Sequence, residues 1–151
     1  MLSEYWDKVW SRKYERYNRH HFDIWQAVLS FLKGKVLDLG CGPGIIYKDT
    51  NVDLTGVDWS EEALKQAKIN YPKGNYILSD IKNTGLPDKS FDTVVLFGVL
   101  DYFENWDDIL IEARRLRKED GKIIATLLNG FNNHNWIKYP KLTGNWRLYQ
   151  E

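Results

Sequence analysis

Val36-Leu37-Asp38-Leu39-Gly40-Cys41-Gly42-Pro43-Gly44 is the stretch that decides the fold. An apolar run, Lys35–Leu39, reads as a short buried strand. Glycines at alternate positions then make a sharp turn that a ligand can approach closely. Working outward, the pattern alternates. Residues 45–51 hold a short helical segment, Leu54–Val57 a strand, and Ser60–Asn70 a helix capped by Ser60 with Glu61 and Glu62 in its first turn. Asn75–Leu78 and Phe91–Phe97 are further strands, the latter apolar on both faces as a central parallel strand should be. Asp107–Leu116 is a helix, and Lys122–Leu128 a fifth strand after a turn at Glu119–Gly121. Upstream, residues 3–17 and 22–32 carry apolar side chains at helical spacing.

Strands alternating with helices imply right-handed crossovers and a mostly parallel sheet covered on both faces. The expected fold class is therefore α/β, Rossmann-like and doubly wound, with an N-terminal helical extension. Ligands of such sheets bind beyond the carboxyl ends of the strands, where strand order reverses. That rim includes the Gly40–Gly44 turn.

The glycines alone do not choose a ligand. A dinucleotide fingerprint shares Gly40 and Gly42, but its third glycine would fall at Ile45, and Gly44 comes one residue early. Asp38 adds the sign of the charge. A carboxylate there repels a pyrophosphate and attracts an ammonium, such as the one on the methionine end of S-adenosylmethionine. Its other reading is a loop cap through local backbone hydrogen bonds. Asp58 ends the second strand and can accept ribose hydroxyls from either kind of nucleoside ligand. Trp59 either packs on adenine or belongs to the core. Asp80 ends the third strand, where a carboxylate can take the adenine amino group while the Ile81 amide reaches the ring.

Taken together, these segments resemble the class I S-adenosylmethionine-dependent methyltransferases over roughly residues 34–129. VLDLGCGPG looks like that family's first motif. GVDWS at 56–60 is similar to its ribose-binding segment, and SDI at 79–81 to its adenine-binding one. FDTVVLFGVLDYF at 91–103 and LRKEDGKIIATLLN at 116–129 resemble the fourth and fifth strands with their flanks. The resemblance implies a five-stranded sheet of order 3-2-1-4-5. It implies Gly40, Gly42 and Gly44, with Cys41 between them in the loop, under the methionine part, Asp38 at its amino group, and Asp58, followed by Trp59, at the ribose. Asp80 and Ile81 would hold the adenine, Phe97 and Leu100 would face the sulfonium, and Tyr5 and Trp6 would form an aromatic lid. The implied cofactor is S-adenosyl-L-methionine, with S-adenosyl-L-homocysteine as product, and the implied reaction is in-line methyl transfer to a small-molecule acceptor. A binding module or truncated fragment without activity of its own is the alternative reading.

Methyl transfer from a sulfonium needs a general base only where the acceptor must lose a proton. Asp101 and Tyr102 after the fourth strand, and His134 after the fifth, are the candidates. No spacing suggests a metal site, and Cys41 reads as a small structural residue of the loop.

Composition bounds the rest. The 151 residues suit one domain, divided into a lid (1–33), a cofactor core (34–129) and a C-terminal extension (130–151). Lys+Arg and Asp+Glu balance at 21 each, so no global field calls for nucleic acid as an obligatory partner. One cysteine forbids an intramolecular disulfide, and no apolar run approaches membrane length, so a cytoplasmic location is expected. Only 23 residues follow Leu128, too few for the family's final helix and antiparallel strand pair. Ile123–Leu128 would then be an exposed apolar edge, which residues 131–151, a homodimer partner, or both should cover.

Overall fold

The computed structural model describes residues 2–13, 22–128 and 146–150. Two helices, α1 (Leu2–Lys13) and α2 (Phe22–Phe31), precede the sheet. Strand β1 (Lys35–Leu39) leads through the glycine turn into a single 3-10 turn, Ile45–Tyr47. Then come β2 (Asp53–Asp58), α3 (Glu61–Asn70), β3 (Asn75–Leu78), β4 (Phe91–Leu96), a 3-10 turn at Leu100–Tyr102, α4 (Asp107–Leu116), β5 (Arg117–Leu128) and β6 (Trp146–Gln150). The first five strands are parallel in the expected order 3-2-1-4-5, and order reverses between β1 and β4. The ends of β1 and β4 therefore open the crevice, with the glycine turn on its floor.

The sheet has two cores, one on each face. Leu37, Leu39, Val94, Leu96 and Ile123 pack beneath Ile109, Ala113 and Leu116 of α4. Val36, Leu54 and Val95 pack against Val28 of α2 and against Tyr47 and Tyr71. Alternate residues of each central strand serve opposite faces, so these strands read as unbroken apolar runs.

Three features depart from the sequence reading. The segment 45–51 supplies only one 3-10 turn. Strand β5 begins at Arg117, five residues before the expected start. Phe91 pairs with Arg117 and Thr93 with Lys122, so the extra residues on β5 bulge outward. The Arg117 guanidinium gathers that bulge by donating to the carbonyls of Lys118, Glu119 and Gly121. Finally, β6 adds a sixth, antiparallel strand, with Ile124 opposite Gln150 and Leu128 opposite Trp146. The tail thus covers the edge that also suggested a homodimer. Among the described residues no helix is long and apolar enough to cross a membrane.

One buried acid holds the loop between β3 and β4 onto α4. Glu112 accepts from the Thr84 amide (2.8 Å) and hydroxyl (2.7 Å), and from Arg115 at both carboxylate oxygens. Arg115 in turn donates to the Leu86 carbonyl and to Asp88. The Arg115 guanidinium, helped by Thr84, draws the Glu112 carboxyl from its ordinary 4.5 down to about 2. Glu112→Ala leaves the buried Thr84 amide and hydroxyl without their acceptor, while Arg115 keeps Asp88 and Leu86, so the variant should lower unfolding free energy by about 2 kcal/mol. A depressed carboxyl stabilises fully above its unfolded pKa and loses that contribution as pH falls. The gap between wild type and variant in chemical denaturation should therefore be widest above pH 4.5 and narrow toward pH 2.

Candidate functional site

The glycine turn is tied down by β2. The amides of Gly40 (2.8 Å) and Cys41 (3.1 Å) both donate to the Val57 carbonyl. The Gly42 amide donates to Asp58 Oδ2 at 2.8 Å, and the Gly44 amide to the Cys41 carbonyl at 3.1 Å. Pro43 has no amide hydrogen. The turn has therefore committed its amides internally, and only one 3-10 turn follows it. A phosphate cradle needs free amides at the start of a helix, so this turn is not one.

It is instead a floor that lets a ligand come close. Gly40 (φ +80°) and Gly42 (φ +50°) occupy the left-handed region. A Cβ on Gly40 would lie 2.6 Å from Val99 Cγ2, and one on Gly42 would lie 3.2 Å from the Trp10 ring. Side chains at these positions would be strained and would fill the crevice.

Asp38 is buried at the end of β1. Its Oδ2 accepts from the Tyr47 hydroxyl at 2.9 Å, while Oδ1 has no partner among the described residues. Burial, the largest influence, pushes its carboxyl up to about 7. The Tyr47 hydrogen bond works against that rise, and the charge of Asp58 adds to it. An orphaned carboxylate oxygen in a crevice wall is suited to a cation that supplies the missing charge and donors. Burial likewise raises the Cys41 thiol well above its ordinary value, which makes it inert packing in the turn.

Asp58 is buried at the end of β2. Oδ1 accepts from the Ser60 amide at 2.9 Å while Oδ2 holds Gly42. Burial raises its pKa and these amide hydrogen bonds oppose the rise. A carboxylate has about four acceptor positions, so Asp58 retains acceptor capacity for a ligand hydroxyl.

Aromatic residues build the walls. Trp59 and Phe103 face each other with ring centroids 5.9 Å apart, and Ile81 lines the same crevice. Trp6 of α1 meets Tyr102 edge-on at 4.5 Å and stacks on Trp10 at 6.0 Å, which brings α1 over the opening. Phe97 and Asp101 also line the crevice. The turn after β4 is held there by Thr126, which accepts from the Gly98 amide at 2.7 Å, and by Trp106, whose indole donates to Leu100 and Phe103 carbonyls.

The structure thus brings together Trp6, Asp38, Gly40, Cys41, Gly42, Gly44, Asp58, Trp59, Ile81, Phe97, Asp101 and Tyr102 around one crevice with about 1050 Å³ of empty space, mouth included. It sets three expected residues apart. Asp80 is exposed and accepts from the Lys82 amide at 2.9 Å, shaping its own turn outside the lining. Leu100 is a core residue. Tyr5 is 58% exposed and packs edge-on against Trp6. His134 lies outside the described residues. Sequence reasoning missed Trp10, Trp25, Val99 and Phe103 in the lining. It also missed Asp7, which accepts from the Ser60 hydroxyl (2.5 Å) and the Glu62 amide (3.2 Å) and so docks α1 on α3. Helical spacing from Trp6 to Trp10 was the available signal.

A methyltransferase-domain family model matches residues 37–125, which include the turn, Asp38, Asp58 and Ile81. The chain belongs to the class I S-adenosylmethionine-dependent methyltransferases. Its cofactor is accordingly S-adenosylmethionine. It is 32% identical over 108 residues to a demethylmenaquinone methyltransferase of Thermotoga maritima, covering 66% of this chain and 45% of that protein. It is 31% identical over 152 residues to an uncharacterized protein of Methanocaldococcus jannaschii, covering 97% of this chain and 59% of that protein. A solved methyltransferase from T. maritima shares the fold with a TM-score of 0.71 at 23% identity, covering 82% of this chain and 60% of the other. The chain spans about half the length of the curated relatives it matches.

The Asp38 carboxyl gives this methyltransferase domain a pH signature. Burial raises this carboxyl to about 7 and so favours its protonated form, whereas a bound cation favours its ionised form. Binding of S-adenosylmethionine between pH 5.5 and 7 should therefore release a proton and tighten as pH rises. Calorimetry in buffers of different ionisation enthalpy measures both effects. Asp38→Asn should bind more weakly, with a flatter pH profile.

Proposed function

We propose that this domain transfers a methyl group from S-adenosylmethionine to a small-molecule acceptor. The observation that carries the reading is the lining: three carboxylates, Asp38, Asp58 and Asp101, several aromatic rings, and among the described residues no Lys, Arg or His. Such a surface favours a cationic nucleoside and disfavours an anionic one. When bound, S-adenosylmethionine supplies a methyl group on a sulfonium whose leaving group is neutral. The protein's work is then alignment and exclusion of water.

Asp38 and the glycine turn would hold the amino-acid end, the remaining acceptor positions of Asp58 the ribose diol, and Trp59, Ile81 and Phe103 the adenine. Phe97 and the turn after it would floor the sulfonium side. Asp101 and Tyr102 stand on that same turn, under Trp6, and are the groups available to orient an acceptor or take its proton. The covering by Trp6 and Tyr102 favours an acceptor small enough to enter under α1. Relatives named for demethylmenaquinone and for malonyl-[acyl-carrier protein] methylation leave the acceptor class open. The second reading, a cofactor-binding unit without turnover of its own, is supported by the chain's spanning about half of its relatives.

Turnover to S-adenosylhomocysteine across a panel of amine, phenol and carboxylic acid acceptors decides between the two. The active domain should turn over at least one acceptor, and tight cofactor binding with no product on any acceptor favours the second reading. Asp58→Ala should weaken the cofactor more than tenfold by calorimetry. It should also lower unfolding free energy by about 2 kcal/mol, because two buried amides lose their acceptor. Unchanged cofactor affinity would remove Asp58 from the ribose site.

A further inference from the structure

Asp38 and Trp25 each carry a buried polar atom without a partner among the described residues, and the two atoms have opposite hydrogen-bond character. One is Asp38 Oδ1, an acceptor. The other is the indole Nε1 of Trp25, which can only donate. Both residues line the same crevice. Trp25 sits on α2, partly buried, against the core formed by Val36, Tyr47 and Val95. Tyr47 is also the residue that fixes the other Asp38 oxygen. The two orphans are thus carried by neighbouring parts of one packed unit, on the β1 and β4 side of the opening.

A buried indole N–H without an acceptor is costly, because Trp side chains normally find one when buried. An acceptor on a ligand would remove the cost. The described lining offers no Lys, Arg or His to a ligand carboxylate, and the glycine turn has committed its amides to the protein. Few donors remain for a ligand anion at this end of the crevice, and the Trp25 indole is one that is already desolvated.

We propose that the Trp25 indole N–H donates to the carboxylate of the amino-acid end of S-adenosylmethionine, opposite the grip of Asp38 on its ammonium. This assignment rests on the cofactor reading above and deepens it. Acceptor and donor together match a zwitterion, and neither matches a simple cation or anion alone. The pairing makes the crevice selective for a free α-amino acid end. The role is one of binding and positioning, since Trp25 touches no reacting atom.

The test uses the full chain, calorimetry, and two ligands that differ only in that group: S-adenosylmethionine and its decarboxylated form. Trp25→Phe keeps an aromatic ring and removes the donor. It should weaken S-adenosylmethionine about tenfold, as for a hydrogen bond to a charged group, and leave the decarboxylated ligand within about twofold. Equal weakening of both ligands would assign Trp25 to packing and overturn the proposal, as would no weakening of either. A wild-type protein that binds neither ligand would sink the cofactor reading itself, a different failure. Should Trp25→Phe not fold, nitrogen-15 spectra of the wild type still decide. The Trp25 indole signal, assigned by backbone-linked experiments, should move downfield with S-adenosylmethionine and much less with the decarboxylated ligand. An indole signal that responds alike to both would refute the assignment.

Discussion

The structure depends on one carboxylate. Asp58 joins three segments that are distant in sequence: the end of β2, the glycine turn through the Gly42 amide, and the start of α3 through the Ser60 amide. The Ser60 hydroxyl extends the clasp by accepting from the Ala63 amide and donating to Asp7 of α1. Floor, rim and cover of the crevice are therefore linked through one chain of hydrogen bonds. Such networks are worth more than isolated pairs because a buried member left unpaired costs so much. Gln66 supplies a second tie, donating to the Trp10 carbonyl at 3.0 Å, so α1 is held over the crevice at two points on α3.

The clasp also determines what the crevice can bind. Amides that a phosphate would need are committed to Val57, Asp58 and Cys41. The charge left at the surface is negative, and the rest is aromatic or aliphatic. A fold that elsewhere serves dinucleotides here loses its phosphate cradle through the internal wiring of six residues, without any change in strand order. Ligand choice and fold class are separable properties of this sheet.

Much of this was legible in the sequence because its signals are local. Lys35–Leu39, Asn75–Leu78 and Asp107–Leu116 are each bounded by turn or capping residues, and the structure places those elements on those residues. Asp38 and Asp58 line the crevice, as expected from their fixed distance to Gly40 in the motif. The crevice lining departs from the sequence expectation where the deciding contact is distant along the chain. Asp80 looks like Asp58 in sequence, yet it lies beyond the end of a short edge strand and turns its carboxylate to Lys82. Leu100 sits one residue before Asp101, but the 3-10 turn sends it into the core while Asp101 faces the crevice. Strand β6 has only five residues, with a mix of aromatic and polar types that a turn-rich tail also shows. Its placement is set by the unpaired edge of β5 rather than by its own pattern. Asp7 and Trp25 lie on helices whose periodicity announces a buried face but not which residue docks a neighbouring helix or lines the crevice.

The crevice wall carries two polar groups that the protein itself does not satisfy among its described residues. A buried carboxylate oxygen and a buried indole N–H, each without a partner among the described residues, cost on the order of 1–3 kcal/mol apiece. Burial pushes the Asp38 carboxyl up, and the Tyr47 hydroxyl on its other oxygen works against that rise. Natural cores rarely tolerate such groups unless something later satisfies them. A ligand that supplies an ammonium to one orphan and a carboxylate to the other gains their contacts and also relieves a penalty already present in the fold. The relieved penalty favours the arrangement that keeps α2 packed on the face of the sheet beside Tyr47. On this view cofactor affinity and the stability of α2 are linked quantities, connected through Asp38, Tyr47 and Trp25.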